Sequence, residues 1–258
     1  MPQNIILIGF SFTVSKFLIT TGFNGEGGFV TKSEIIDLSE LGNYQCPDWG
    51  DYPIEVGGAT GGLLGTIPII CGGFLHTDEC YKITAKEAVL VVKMTTKRAG
   101  AASVTISSIS LWITGGSDGN NLLSSSEFVQ MEGTMPGPKV PIALYMHAMI
   151  NTRNDLTMVI GGITTEYDEY TGHYSAKTFY YNHNYGNWSE GPELNQARTS
   201  HAVGIVTDEA TQEKLVIVTG GSNNEIMKLK STEILISEVW SLGKKKLIEL
   251  CKDRVHTS

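Results

Sequence analysis

The sequence predicts an all-β fold made of repeated four-stranded sheets, a β-propeller, and two observations carry this prediction. A short apolar run that ends in glycine occurs five times in the 258 residues. The first glycines of these runs, from Gly22 to Gly220, follow one another at intervals of 43 to 59 residues, close to the roughly 40 to 50 residues of one propeller blade. In addition, 29 glycines and only 8 prolines are typical of many tight turns between short strands. We therefore expect about five blades, which form either a closed ring or an incomplete one.

Each apolar run is predicted to be an inner strand. Its length and its Val, Ile and Leu content are those of a strand that is buried on both faces. Glycine lacks a Cβ atom, so the doublet that ends a run lets the chain turn sharply where blades crowd together. The doublets expected to have this structural role are Gly72 and Gly73, Gly115 and Gly116, Gly161 and Gly162, and Gly220 and Gly221.

The next strand of each blade follows the glycine after a loop. In three runs this strand begins 11 or 12 residues after the first glycine, at Ser33, Ser126 and Thr232. The fourth run differs, because its loop extends over residues 163–176. A loop of this length on a rigid scaffold is either a functional insertion or a mobile one.

The repeats divide the chain into three parts. Residues 1–13 precede the first run and read either as an edge strand or as a degenerate signal sequence, because no positive charge precedes their apolar centre. Residues 14–243 hold the propeller repeats, and residues 244–258 form a tail without a further doublet. The longest apolar stretch, residues 5–19, is interrupted by polar residues and is shorter than the roughly 20 residues of a membrane-spanning helix. We therefore predict no membrane span.

The charge of the chain argues against one class of partner. The chain has 19 Lys and Arg residues against 27 Asp and Glu residues, which gives a net charge of −8. Binding to nucleic acid requires a clustered basic surface, and the only basic run consists of the three lysines at 244–246. We therefore predict no nucleic-acid partner.

The fourth repeat resembles the kelch repeat. Its doublet Gly161-Gly162 is followed by Tyr181, by Trp188 after six intervening residues, and by Arg198 at the start of the next strand. Kelch families share this order. The other copies depart from it, since the tyrosine and the tryptophan are absent or displaced.

The resemblance covers roughly residues 14–243, most of the chain. It implies a ring of four-stranded antiparallel blades in which Tyr181 and Trp188 are packing residues between sheets. The segment 52–73 is also similar to secreted kelch-type proteins of invertebrates.

The resemblance and the long loop together supply the candidate binding residues. Arg98 and Arg198 begin their strands at equivalent places, where arginines of kelch modules contact acidic peptides. The alternative is that each forms an ion pair that stabilises its own blade. Tyrosine offers a large contact area at low entropic cost, so the loop supplies the remaining candidates: Glu166, Tyr167, Asp168, Tyr170, His173 and Tyr174.

Three cysteines bear on the cell compartment. Cys71 ends an inner strand and Cys80 begins the next strand, so the two face each other across a predicted hairpin. They form either a disulfide, which requires an oxidising compartment, or, with Cys46, a set of free buried thiols. The compartment therefore stays open between cytoplasm and secretion.

One sequence motif bears on the same question. Asn187-Trp188-Ser189 is the only N-glycosylation sequon in the chain, and such a sequon is used only in the secretory pathway. We expect burial of Trp188 to restrict access to Asn187.

No motif in the sequence supports catalysis. The chain has no Gly-x-Ser-x-Gly elbow and no phosphate-binding loop, and its histidines and cysteines lack the short spacings of metal sites. Galactose oxidase, a copper enzyme with a kelch-type propeller, needs a tyrosine cross-linked to cysteine, and residues 167–174 contain no cysteine.

We therefore predict a non-enzymatic module that needs no cofactor or metal and binds another protein or peptide through loops on one propeller face. The first alternative is an extracellular protein that interacts with carbohydrate or with other proteins. The second alternative is a galactose-oxidase-like copper enzyme or a hydrolase.

Overall fold

The structure, a computed structural model, describes residues 6–11, 16–23, 28–37, 48–74, 78–153, 155–165, 173–207, 213–226, 228–236 and 238–242. Within these ranges the chain forms twenty-two β-strands and no helix. Twenty of the strands form five four-stranded antiparallel sheets, called blades 1 to 5 below, and the other two form a short hairpin. The prediction of an all-β propeller fold with about five four-stranded blades is confirmed.

Blades 1 to 3 lie in the first of two compact units, residues 1–145. Blade 1 consists of β1 (Ile6–Ser11), β2 (Lys16–Phe23), β3 (Phe29–Asp37) and β4 (Asp48–Trp49). Blade 2 consists of β5 (Thr60–Leu64), β6 (Ile67–Cys71), β7 (Glu79–Ile83) and β8 (Ala88–Lys93). Blade 3 consists of β9 (Ala102–Ser107), β10 (Ser110–Thr114), β11 (Ser126–Gln130) and β12 (Gly133–Pro136).

Blades 4 and 5 lie in the second compact unit, residues 146–258. Blade 4 consists of β13 (Ala148–Arg153), β14 (Leu156–Ile160), β17 (Thr178–Asn182) and β18 (Asn187–Glu190). The hairpin strands β15 (Ile163–Thr164) and β16 (His173–Tyr174) lie in its loop between β14 and β17. Blade 5 consists of β19 (Ala202–Thr207), β20 (Lys214–Thr219), β21 (Thr232–Ile236) and β22 (Val239–Leu242).

The strands of every blade follow one another in chain order, and each is antiparallel to the next. One end of a blade therefore holds the start of its first strand and the glycine at the end of its second strand. We call this the doublet end. The opposite end of the blade holds the turns that join the first strand to the second and the third strand to the fourth.

The second strand of each blade supplies much of the core. Strand β10 is buried at all five positions, and it has a neighbouring strand on both sides. Its residues Leu111 and Ile113 pack in one cluster with Ile69 and Cys71 of β6. The equivalent strands β14 and β20 form a separate apolar cluster in the second unit. In blades 2 to 5 the predicted inner strand is thus the most buried strand of its blade.

The glycine doublets of blades 2 to 5 have φ angles between 59° and 111°, a region that side chains disfavour. This backbone lets the second glycine donate its N–H to a carbonyl in the segment that leads to the next first strand. The hydrogen bond is 2.9 Å from Gly73 to Arg98 O, 2.8 Å from Gly116 to Leu144 O and 2.8 Å from Gly162 to Arg198 O. We call these three contacts the linker bonds.

Cys71 and Cys80 are opposite each other in the register of β6 and β7, and a disulfide joins them with their Cα atoms 4.1 Å apart. This is the first of the two alternatives raised by the sequence. Cys46 lies outside the described residues.

The chain termini are described only in part. Strand β1, within the predicted N-terminal segment 1–13, pairs with β2, and the tail 244–258 lies outside the described residues. The described part of the chain contains no helix that could span a bilayer.

Candidate functional site

Arg198 lies at the doublet end of blade 5, four residues before β19. Its guanidinium donates to Glu233 Oε1 at 2.7 Å, to the carbonyl of Gly220 at 2.9 Å and to the carbonyl and hydroxyl of Ser231. The Arg198 side chain is 0 % exposed. All these acceptors belong to blade 5, so the arginine holds the doublet against the third strand.

Arg98 makes the same contacts in blade 3. It donates to Glu127, to the carbonyl of Gly115 and to the carbonyl and hydroxyl of Ser125. Its side chain is also 0 % exposed. The binding role predicted for Arg98 and Arg198 is therefore replaced by the structural alternative, because both guanidinium groups are buried and paired inside their own blades.

Each of these carboxylates also accepts main-chain hydrogen bonds from the linker before its arginine. Glu127 accepts from the N–H groups of Thr95 and Thr96 and from the Thr95 hydroxyl, at 2.7 to 3.0 Å. Glu233 accepts from the N–H groups of Asn195 and Gln196 and from the Asn195 amide, at 2.6 to 3.1 Å. One carboxylate thus connects the linker, the arginine and the third strand.

In the Arg98–Glu127 pair, each charge opposes the effect of burial on the pKa of the other group. Burial alone would raise the pKa of Glu127, but the bonds from Thr95 and the charge of Arg98 outweigh it and hold this pKa below its usual value. Burial also lowers the pKa of Arg98, and the hydrogen bond and charge of Glu127 oppose that change. The pair therefore stays ionised at neutral pH.

The doublet-end loops of blades 3 and 5 are closed by Asx turns. Asp118 Oδ1 accepts from the N–H groups of Asn120 and Asn121, at 2.8 and 2.7 Å. In blade 5, Asn223 Oδ1 accepts from the N–H groups of Glu225 and Ile226, at 3.1 and 2.8 Å. These two loops therefore turn back to their third strands over a short path.

Blade 4 has a hairpin in place of this turn. In the hairpin Ile163 is opposite Tyr174, and the buried Thr164 is opposite His173. The stem is attached to the blade by the Ser175 N–H, which donates to Gly162 O at 2.8 Å, while Ser175 O accepts from the Arg198 N–H at 3.2 Å. The stem is thus joined to the scaffold at the doublet end by main-chain hydrogen bonds.

The predicted loop residues fall into two groups. His173 and Tyr174 form β16 and are half-buried in the stem. The other four, Glu166, Tyr167, Asp168 and Tyr170, lie outside the described residues.

Tyr181 and Trp188, each predicted to pack between sheets, are opposite each other in β17 and β18 of the same sheet. Their ring centroids are 5.0 Å apart, and both residues are half-buried. Trp240 occupies the same position in blade 5, where it is opposite Leu235.

Two histidines at equivalent positions were not predicted as a feature. His147 and His201 stand one residue before β13 and β19, and the equivalent residues of blades 2 and 3 are Ala59 and Ala101. Burial lowers the pKa of each imidazole to about 3, with a further contribution from His201 at His147 and from Arg198 at His201. Within the described residues, neither ring nitrogen of His201 has a hydrogen-bond partner. Both rings are therefore neutral at physiological pH.

A groove of about 970 Å³ lies between blades 4 and 5, at the end opposite the doublets. Tyr180 lines it, and burial followed by the charge of Glu238 raises the pKa of this tyrosine. The groove is formed by turns that are distant in sequence, so no local pattern indicates it. Its charged lining residues are Arg153, Asp155, Glu190, Glu213, Lys214 and Glu238.

The described residues contain no group of three or more His, Cys, Asp or Glu side chains placed to hold a metal ion. His173 and Tyr174 are the only described members of the 167–174 stretch considered for copper.

Comparison with solved structures supports the fold. The solved structure of YjhT matches with a TM-score of 0.69 and 12% sequence identity, over 92% of this chain and 83% of that chain. At this identity the likeness shows the β-propeller fold alone. No protein-family model and no curated protein matches the sequence.

Proposed function

We propose that the protein is a kelch-type propeller that binds another protein or peptide at the doublet end of blade 4 and catalyses no reaction. The observation that carries the proposal is the hairpin β15–β16, which replaces the Asx turns of blades 3 and 5. Loops positioned by a rigid scaffold carry binding function disproportionately often. The kelch assignment is supported by the doublet Gly161-Gly162 and by the facing pair of Tyr181 and Trp188.

The composition of the hairpin indicates a basic partner. Residues 166–174 contain three carboxylates, three tyrosines and one histidine, with no lysine or arginine. The arginines predicted to contact acidic peptides are buried in ion pairs, so they are not free to neutralise the three carboxylates of this segment. Tyrosines provide the contact area, and complementary charge raises the association rate.

A second candidate function, an extracellular interaction protein, is favoured by the Cys71–Cys80 disulfide. Disulfides persist in oxidising compartments and are rare in the cytosol. The mode of binding is the same in both cases, and only the location of the partner differs.

The experiment that tests the proposal exchanges loops between blades. In the test variant residues 163–174 are replaced by the blade 5 sequence Ser222-Asn223-Asn224-Glu225. In the control variant residues 118–121 of blade 3 are replaced by residues 223–226. Partners captured by the wild type are purified and titrated against both variants.

We expect the test variant to lose binding by at least tenfold while its melting temperature stays close to that of the wild type. The control variant is expected to bind normally. Unchanged binding by the test variant would contradict the proposal. A double charge reversal, Glu166→Lys with Asp168→Lys, separates the charge contribution from the loss of the hairpin.

A further inference from the structure

The sequon Asn187-Trp188-Ser189 begins the outermost strand of blade 4. Strand β18 pairs with β17 on one side, and no further strand of the blade follows it. Successive residues of a strand point to opposite faces. Asn187 and Ser189 therefore share one face, and Trp188 points to the other.

Exposure follows this alternation. Asn187 and Ser189 are exposed, whereas Trp188 is half-buried against Tyr181. The expectation that burial of Trp188 hides Asn187 is therefore wrong, since the burial of the middle residue turns both outer residues of the sequon toward solvent.

The turn before Asn187 is also open to solvent. Asn182 Oδ1 accepts from the N–H groups of Asn184 and Tyr185, at 2.9 and 3.1 Å, and Tyr185 is 82% exposed. Gly186 completes the turn with a φ of 66°. A large polar group on the Asn187 amide would project from this turn into water and displace no packed side chain.

A second, independent observation concerns the compartment. The Cys71–Cys80 disulfide is in blade 2, far in sequence from the sequon, and it indicates an oxidising environment. The secretory pathway is the oxidising compartment in which Asn-x-Ser/Thr sequons are modified.

We propose that Asn187 is an N-glycosylation site and that its side-chain amide carries an N-linked oligosaccharide. The position agrees with the binding surface proposed above, because Asn187 lies at the end of blade 4 opposite the hairpin β15–β16. An oligosaccharide there leaves the hairpin accessible and adds a bulky, solubilising group beside the outermost strand of the blade.

The test expresses the full chain through the secretory pathway of eukaryotic cells and measures intact mass before and after digestion with an amide-cleaving N-glycosidase. The protein is first alkylated without reduction, so that only chains with the Cys71–Cys80 disulfide are scored. We expect the wild type to lose mass on digestion and to carry aspartate at position 187 afterwards.

Two variants assign the site. N187Q and S189A are each expected to abolish the mass loss, and the matched control N184Q in the same turn is expected to retain it. Disulfide-bonded wild type with an unmodified Asn187 would overturn the inference. A mass loss that persists in N187Q and S189A would overturn it equally, because it would place the modification elsewhere.

Discussion

Blades 4 and 5 have the same strand order and the same register at their doublet ends. At equivalent positions, however, one blade has charged side chains and the other has apolar ones. Blade 5 places the buried ion pair of Arg198 and Glu233 there. The equivalent positions of blade 4 hold the buried apolar residues Leu144 and Phe179. Equivalent positions at the doublet end can therefore hold either a buried ion pair or buried apolar side chains.

The linker before the first strand also differs between a blade with the ion pair and a blade with apolar residues. The Glu233 carboxylate needs the N–H of Asn195, three residues before Arg198. The residue three before Leu144 is Pro141, which has no N–H to donate. Where the carboxylate is absent, one of the two main-chain donors of the linker is absent as well.

Blades 2 and 3 repeat the contrast. Blade 2 combines Pro53 and Val56 with Tyr81 at the carboxylate position, whereas blade 3 has the ion pair of Arg98 and Glu127. The arginine, the carboxylate and the linker residue three positions before the arginine thus differ together between blades. The blades therefore differ in the whole network and not in a single side chain.

The largest expected effect comes from breaking the network of blade 5 at one position. Arg198→Leu introduces leucine, the residue that blade 4 has at this position, and leaves the buried Glu233 without its ion-pair partner. We expect the free energy of unfolding to fall by about 3 to 5 kcal/mol, because a buried charge loses its partner. Denaturant unfolding measures the change.

The control is a triple variant that carries the blade 4 residue at all three positions of the network. Adding Glu233→Phe and Asn195→Pro to Arg198→Leu converts all three positions, which removes the buried charge and the donors that Asn195 supplied to it. We expect the triple variant to regain most of the lost stability. A triple variant less stable than the single one would show that the two networks are not interchangeable.

The next effect concerns a feature that blades 4 and 5 share. His147 and His201 have a pKa of about 3 in the folded state, against about 6.5 when unfolded. The unfolded chain therefore binds more protons between these values, and stability falls as pH decreases below about 6.5.

We expect each imidazole to contribute a slope of about 1.4 kcal/mol per pH unit in that window. The double variant His147→Ala with His201→Ala, which installs the residue found in blades 2 and 3, should flatten the dependence between pH 6 and 5. Urea unfolding at a series of pH values separates this slope from any constant loss caused by the cavity. An unchanged slope would assign the acid sensitivity to other groups.

A smaller effect is expected at the position where blade 2 has its disulfide. In blade 5 the equivalent facing residues are Thr219 and Thr232, whose hydroxyl oxygens are 2.8 Å apart. The double variant Cys71→Thr with Cys80→Thr copies this pair. We expect it to fold and to lose about 2 to 3 kcal/mol, the contribution of a crosslink that closes a short loop. Thermal unfolding of the oxidised wild type, the reduced wild type and the variant measures the difference.

The smallest effect concerns backbone strain. Ser200 has a φ of 53°, and the equivalent residue of blade 3 is Gly100 with a φ of 61°. Ser200→Gly should raise the free energy of unfolding by up to about 1 kcal/mol, because glycine adopts this conformation without strain. The reverse substitution Gly100→Ser should lower it by a similar amount. Equal effects of the same sign in both variants would contradict the explanation.

The sequence predicted the blades well because their signals are local. An apolar run that ends at Gly72 or Gly161 identifies a buried strand and its turn without reference to distant residues. The pairing of Cys71 with Cys80 was also within reach, since nine residues separate them.

The roles of the arginines depended on contacts that are distant in sequence. Glu127 is 29 residues from Arg98 and Glu233 is 35 residues from Arg198, so the ion pair was only one of two open alternatives. A signal did exist, since the proline three residues before Val56 and Leu144 is missing before both arginines. The groove and the histidine pair gave no comparable signal, because several separate turns or blades form them.

The linker bonds join the second glycine of a doublet to a carbonyl, and both partners are main-chain atoms. The side chains on either side of the joint are therefore free to diverge, as Arg98 and Leu144 have done. A gene that encodes such blades can duplicate, lose or recombine them as interchangeable parts, since the joint imposes a backbone shape and hardly any residue identity beyond glycine. In such proteins the similarity of the fold is therefore retained long after the similarity of the sequences has been lost.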